Sequence, residues 1–405
     1  PVWEAHKNAP NYMYNHLSSH AIELLDKRKK IIDDINTIDE WKEYQIGIKD
    51  KLSEIFGSFP EKTPLNAKST RIIHKEGYSV EHIVYESIPG YKVTSSLFIP
   101  SGTKGKKVPT ILYCSGHYPN AYRCERYQHI ILNLVMKGFI VFAFDPAGQG
   151  ERIQYYNRSE NKSLFNHPVK EHSYSGAQVF LNGMSIAKYF VWDGIRAIDY
   201  LLTRKEVDPE RIGITGHSGG GAQAAYIAAL DDRIFAAAPE CWITNYKRLL
   251  QSIGPQDAEQ NLYHFIHKGL DLPDFLIVRA PKPAMMITTT NDFFSIQGAM
   301  EAEEEISTVY RAFKKHENFR REEGFGKHQT ITMQNKEALY AFFQKHLDNA
   351  GLPDDEEVHY LTKAELQVTS TGQLATSTGS ETIYSLNKNE AEKLLSKLDN
   401  SRTDL

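Results

Sequence analysis

The chain has 405 residues, of which 41% are hydrophobic and 24% charged, with a formal net charge of −4. That length buries a large core without staples, and the composition lacks the low-hydrophobicity, high-charge signature of disorder. The slightly acidic balance argues against a nucleic-acid partner, and no apolar run approaches the roughly 18 residues of a membrane span.

Residues 1–60 are polar with a helical period. Ile22, Leu24, Leu25, Ile31, Ile32 and Ile35 approximate one helix face. Thr37-Ile-Asp-Glu40 resembles a capping box opening a second helix through Trp41, Ile46, Ile48, Leu52 and Ile55, which stops near Gly57 and Pro60. From residue 69 the period shortens. Thr70–His74, Val80–Tyr85 and Tyr91–Ile99 are β-rich runs divided at Gly77 and Pro89-Gly90, and predict an antiparallel meander.

Apolar strand-like runs then alternate with helical ones. Val108–Cys114, Phe139–Phe144, Arg211–Thr215, Ile234–Ala238 and Pro283–Thr289 predict strands. Tyr122–Lys137, Ile186–Thr203, Gly219–Leu230, Gln297–Lys315 and Lys336–His346 predict helices. This alternation predicts an α/β fold with a mostly parallel central sheet and helices on both faces. Residues 151–183 and 241–281 interrupt it as long stretches rich in aromatic and polar residues, as lid insertions do. The reading is a helical N-terminal arm (1–68) packed on a catalytic domain (69–350), with a polar C-terminal appendage (351–405) that is self-sufficient neither in length nor in pattern and fits the start of a downstream domain. A short helix is expected at Lys388–Leu398. The chain begins at Pro1 without a leader and reads as mature or trimmed.

Gly216-His217-Ser218-Gly219-Gly220 matches G-x-S-x-G between a predicted strand and a predicted helix, the context of a nucleophile elbow. Two glycines leave room where strand and helix meet, and the helix N-terminus favours developing negative charge. Residues 80–347 resemble the α/β-hydrolase fold. Cys114-Ser-Gly-His-Tyr118, Asp145-Pro-Ala-Gly-Gln-Gly-Glu-Arg152 and Gly216–Gly220 resemble the acetyl-xylan-esterase-like branch and neighbouring bacterial carbohydrate esterases, including gut-bacterial methylesterases of pectin. Ser115-Gly116-His117 stands where that branch has a His-Gly order.

The resemblance implies a Ser, then Asp or Glu, then His order. Asp292 ends the strand Ala284–Ile287, and His328 precedes the helix-like run from Thr330. The expected roles are nucleophile (Ser218), base (His328), orienting acid (Asp292), and oxyanion donors at the N–H groups of Gly219 and His117. Glu240 is the rival acid. Asp231, Asp232, His316 and His346 read as solvated or structural, and the ring of His217 points away from the serine.

For substrate, Tyr155, Tyr156, Phe165, Tyr174, Trp242, Tyr246, Tyr263 and Phe265 lie in the insertions, and Trp242 is the candidate sugar platform among them. Arg123, Arg126 and Arg152 leave strand ends where a guanidinium clamps a carboxylate. The expected activity is a secreted or periplasmic serine carbohydrate esterase acting on plant cell-wall polysaccharide. Methyl esters of galacturonic acid in pectin come first, with acetyl esters of xylan or pectin second. A peptidase of the same fold and a non-catalytic glycan-binding module are the other classes. No cofactor or metal is called for, since the sixteen histidines form no H-E-x-x-H cluster. Cys114, Cys124 and Cys241 make no disulfide framework.

Overall fold

The computed structural model describes residues 11–402; the first ten residues of the predicted arm and the last three of the appendage lie outside the described residues. Helices α1 (Tyr12–Asp33) and α2 (Ile38–Phe56) open the chain, followed by strands β1 (Lys68–Lys75), β2 (Tyr78–Ile88), β3 (Tyr91–Pro100) and β4 (Val108–Cys114). Next come α3 (Glu125–Met136), β5 (Ile140–Phe144), a hairpin of β6 (Tyr156–Asn157) and β7 (Lys162–Ser163), α4 (Pro168–Leu181) and α5 (Ala187–Leu201). Then follow β8 (Val207–His217), α6 (Gly219–Leu230), β9 (Ala236–Glu240), α7 (Tyr246–Leu250) and α8 (Asp274–Ile277). The chain closes with β10 (Ala284–Asn291), α9 (Ile296–Ala312), β11 (Phe319–Lys327), α10 (Met333–His346) and α11 (Ile383–Arg402).

Nine strands form one sheet in the order β1-β2-β3-β5-β4-β8-β9-β10-β11. The β1–β2–β3 meander is antiparallel and joins β5 antiparallel, whereas the pairs from β5 to β11 are parallel. The central strands read as unbroken apolar runs because helices cover both faces; every residue of β4 and β5 is buried.

The capping box at α2 forms as its spacing predicts: Glu40 N–H donates to Thr37 Oγ1 at 3.2 Å, and Thr37 N–H donates to Glu40 Oε2 at 2.8 Å. Helix α2 buries Trp41, Ile48, Leu52, Ile55 and Phe56 in the same cluster as Tyr226 and Phe275. Arg28 of α1 is buried, donating to both oxygens of Asp274 at 2.7 Å and to Glu305 at 2.5 Å. At the other end of the chain, residues 361–374 lie against the sheet. Leu361 and Leu366 are buried in the core, Val368 and Leu374 pack with Val84, and Arg71 donates to the carbonyls of Ala364, Glu365 and Gln367.

Besides the short β6–β7 hairpin, α7 and α8 inside the insertions, two longer elements differ from the sequence reading. Pro168–Leu181 is a helix inside what reads as an insertion loop; its buried face is Glu171, His172, Ser175, Gly176 and Val179, a helical period carried by polar residues. Phe319–Lys327 is the edge strand of the sheet, where charged side chains suffice because one side has no neighbour: Arg321 pairs with Glu303 and Glu323 at 2.6 Å. All three cysteines are free, so Cys114 and Cys124 are not bridged.

Candidate active site

The carboxyl ends of β4, β8, β9, β10 and β11 meet on one edge of the sheet, the position where open α/β sheets bind ligands. Register places Cys114 beside Gly216, His217 beside Glu240, and Asn291 beside Lys327. The residues that follow these strand ends therefore converge.

Ser218 occupies the turn between β8 and α6 with φ +60° and ψ −121°, a backbone conformation a non-glycine residue holds only where the surroundings enforce it. The flanking glycines make that turn possible. A Cβ on Gly216 would lie 2.2 Å from the Cys114 carbonyl oxygen, and one on Gly220 would lie 2.1 Å from the same atom. Ser218 N–H continues the ladder by donating to Glu240 O at 2.9 Å.

Three of the sequence-selected side chains form one hydrogen-bonded line. Ser218 Oγ lies 2.9 Å from His328 Nε2, and His328 Nδ1 lies 2.8 Å from Asp292 Oδ1. Asp292 is itself held: Oδ1 also accepts from Phe294 N–H, and Oδ2 from the Thr289 hydroxyl, both at 3.0 Å. The His328 and Asp292 side chains are each 4% exposed, whereas Ser218 is half-buried. The Phe293 ring stands 4.1 Å from the His328 ring and is 43% exposed, forming an apolar wall beside it.

Residues that sequence reasoning left out complete the support. His217 sends Nε2 to the His328 carbonyl at 2.9 Å, so the ring beside the serine fixes the backbone of the histidine loop. Burial holds the His217 imidazole down at about 3, keeping it neutral. Gln149, inside the Asp145–Arg152 motif, donates to the carbonyls of Gly116 and Tyr118 at 2.8 and 3.0 Å. Gly150 N–H donates to Pro119 O at 2.9 Å. The motif thus braces the loop that carries His117, whose backbone N–H makes no hydrogen bond among the described residues. The N–H of Gly219, in the first turn of α6, has no intrahelical partner.

Glu240 does not reach His328. Its carboxyl is buried against the Thr215 hydroxyl at 2.9 Å, and burial pushes it up to about 7, against the lowering effect of that hydrogen bond. Between the ordinary value of 4.5 and about 7 the folded chain keeps a proton that the unfolded chain has lost. Stability from this group therefore falls as pH rises through that window. Glu240→Gln keeps a partner for Thr215 and removes the titration. Between pH 4.5 and 7.5 it is expected to gain on the wild type by roughly 3 kcal/mol, read from urea unfolding at the two pH values.

The arginine and tryptophan expectations need correction. Arg123 is buried and donates to Asp145 at 2.5 Å, to Glu151 at 3.1 Å and to the Leu366 carbonyl at 3.0 Å. Arg152 is buried, donates to Asp145 O and Asp193 Oδ2, both at 2.7 Å, and lies over the Tyr91 ring. Neither guanidinium is free to clamp a substrate carboxylate, because buried carboxylates already neutralise both, although Arg123 lies in the wall of the cleft that holds Tyr156 and Phe165. Arg126 alone stays half-exposed, donating to the Gln329 side chain and carbonyl next to His328. Trp242 is 1% exposed, donates Nε1–H to Gln260 at 2.9 Å and packs on Tyr226 and Phe275; it is core, not a sugar platform.

Truncating Arg123 leaves two buried carboxylates uncompensated. Arg123→Leu is expected to cost about 3–5 kcal/mol of unfolding free energy, read from urea titration.

Asp231 pairs with Arg233, Asp232 pairs with Lys49 and Lys282, His316 is exposed, and His346 lies against Phe342. Among the insertion aromatics, Tyr246 and Phe265 join the core, Tyr263 meets Phe180, and Tyr155, Phe165 and Tyr174 pack on one another. Tyr156 and Phe165, with Pro119, Asn120, Lys162 and Lys363, line a cleft of about 320 Å³.

Residues 51–271 match the acetyl xylan esterase (AXE1) family. The chain belongs to that family. As a member it is a carboxylic ester hydrolase, and its matched segment includes the elbow serine, with Asp292 and His328 beyond it. The chain is 23% identical over 276 residues to the protein named "Putative hydrolase YtaP" of Bacillus subtilis (strain 168), covering 64% of this chain and 86% of that one. Among solved structures it is similar to the methylesterase BT1017, with a TM-score of 0.68 at 19% identity over 94% of this chain and 81% of that chain. It is also similar to a glucuronoyl esterase from Solibacter usitatus, with a TM-score of 0.55 at 16% identity over 74% of this chain and 91% of that chain. At these identities the likenesses establish the α/β-hydrolase fold of this family member. No helix among the described residues is long and apolar enough to cross a membrane.

Proposed function

We propose that Ser218, His328 and Asp292 are the catalytic triad of a carbohydrate esterase that cleaves esters on plant cell-wall polysaccharide. The observation that carries the reading is the unbroken line from Ser218 Oγ through His328 to Asp292 at 2.9 and 2.8 Å. His328 takes the serine proton as Ser218 attacks the ester carbonyl. Asp292 holds the Nδ1–H tautomer and stabilises the imidazolium. The N–H groups of Gly219 and His117 receive the oxyanion. His328 then returns the proton to the leaving alcohol, and water releases the acyl enzyme.

For the substrate we infer methyl esters of galacturonic acid in pectin. The methylesterase likeness over 94% of the chain supports it. So do Lys162 and Lys363, exposed at a cleft that also holds Tyr156 and Phe165 and that meets the loop after His117 at Pro119 and Asn120, with none of Ser218, Asp292 and His328 in its lining: ammonium groups suit the free uronates of a partly esterified polymer, and aromatic rings suit sugar faces. Arg126 is the remaining arginine of that argument. The family match favours a second reading, acetyl esters of xylan or pectin. A polysaccharide substrate places the enzyme in the periplasm or outside the cell.

The deciding experiment incubates the protein with methyl-esterified pectin fragments, acetylated pectin and acetylated xylan. Methanol and acetate release are measured against a Ser218→Ala blank. Methanol release alone is the expected result; acetate alone overturns the methyl ester and installs the second reading.

A further inference from the structure

We propose that His117, His172 and Glu259 bind one divalent metal ion of the zinc class, tying the loop after β4 to both insertions. The proposal rests on donor geometry, independently of the reaction assigned to Ser218. One potential ligand atom from each residue lies within 4.8 Å of the others. His117 Nε2 faces Glu259 Oε1, and His172 Nδ1 lies 3.1 Å from Glu259 Oε2. The two imidazole rings stand 5.1 Å apart at 60°. His172 and Glu259 are 1% and 2% exposed, and the His117 side chain 11%, so the cluster is closed to all but one side.

The outer contacts point the same way. A metal-bound imidazole commonly gives its second nitrogen to a carboxylate or a backbone carbonyl, which fixes the tautomer. Both versions occur here. His117 Nδ1 lies 3.1 Å from Asp257 Oδ2, and His172 Nε2 lies 2.9 Å from the Ala147 carbonyl. A carbonyl only accepts, so His172 carries its proton on Nε2. In its neutral form His172 then aims the Nδ1 lone pair at a carboxylate oxygen that also has only lone pairs to offer, while His117 sets Nε2 against the other oxygen of the same carboxylate. A cation between them satisfies all three groups. Two imidazole nitrogens and one carboxylate are a zinc donor set. Ligand atoms on a tetrahedral ion with bonds of about 2.0–2.1 Å sit roughly 3.3 Å apart, close to the 3.1 Å between His172 and Glu259, whereas the 2.5 Å between His117 Nε2 and Glu259 Oε1 must open as the ion enters.

The site joins elements that the chain brings together from far apart: His172 and Glu259 are 87 residues apart, His117 and Glu259 142. No local motif announces it. A Cβ on Gly219 would lie 2.7 Å from both Cε1 and Nε2 of His117, so the ligand ring rests against the first helical residue after Ser218. Metal binding would thereby position the backbone of residues 116–118.

The test titrates the chelator-treated, dialysed full chain with zinc chloride by calorimetry, with metal content by mass spectrometry and melting temperature as a third readout. The expected result is about one zinc per chain and a higher melting temperature with zinc present. Glu259→Gln and His172→Ala are each expected to weaken zinc binding by at least about 100-fold while the far-ultraviolet circular dichroism stays native. A native, ester-cleaving chain that takes up no zinc at 100 times the chain concentration overturns the proposal. So does zinc binding that both variants retain, since the ion then sits elsewhere. Should Ser218→Ala bind zinc normally while no polysaccharide ester is cleaved by the wild type, the metal site stands and the reaction assignment falls.

Discussion

Ser218→Ala is expected to lower kcat on a nitrophenyl ester by about 10⁵–10⁶-fold while leaving unfolding free energy nearly unchanged. The size follows from the geometry. Ser218 Oγ is the atom that His328 Nε2 addresses at 2.9 Å, and the turn that presents it is held by strand, helix and the two close-packed glycines rather than by the hydroxyl. Alanine tolerates the same elbow, so the fold survives the change. On the proposed mechanism Ser218 and His328 act as a unit, so His328→Ala is expected to cost about as much, and the double variant little more than either alone. Single-turnover kinetics on the three variants check this. Losses that multiplied would mean that serine and histidine contribute separately.

Asp292→Asn is expected to lower kcat by about 10⁴-fold with KM little changed. Asp292 Oδ1 accepts from both His328 Nδ1–H and Phe294 N–H, so an asparagine must turn its amide oxygen there. Its amino group then falls on the Thr289 hydroxyl, which is able to accept. The side chain keeps its place, and the negative charge that stabilises the imidazolium is lost. The reverse amide orientation sets two donors against the amino group and turns His328 into the wrong tautomer. Either way the loss appears in the chemical step. Glu240→Gln gives the contrast. Its carboxyl meets Thr215 and not His328, so its effect belongs to stability against pH rather than to kcat.

Legibility in the sequence follows how local each feature is. The elbow is legible because Gly216, Ser218 and Gly220 lie within five residues between an apolar strand and an alanine-rich helix, and the steric reason for each glycine is local. Asp292 is legible from the predicted strand it follows, and His328 from the order that the family resemblance implies and from the helix-like run it precedes. The arginines mislead because sequence shows a cation without its partner. Only the fold reveals that Arg123 belongs to Asp145 and Glu151, and Arg152 to Asp193. Trp242 misleads for a related reason: an insertion rich in aromatics is both lid and core, and this ring went to the core beside Phe275.

Two elements hide behind their polarity. Helix α4 buries glutamate, histidine and serine where an amphipathic pattern expects apolar residues, because its Glu171 accepts from the Gln154 and Tyr155 N–H groups and its His172 faces Glu259 and the Ala147 carbonyl. Strand β11 needs no apolar run at the sheet edge. Gln149 and His217 lie inside recognised motifs, but their contacts to the Gly116 and His328 carbonyls are tertiary and leave no trace in spacing.

The central claim is that Ser218 is the nucleophile of an acyl-transfer site. Its most direct test is covalent labelling with a phosphonofluoridate ester, followed by peptide mass mapping and assay of residual esterase activity. The account predicts about one adduct per chain, on Ser218, with activity lost in proportion to labelling and with the Asp292→Asn variant labelled far more slowly. Full inactivation with the adduct on another residue, or ester hydrolysis that persists with Ser218 fully blocked, would contradict it.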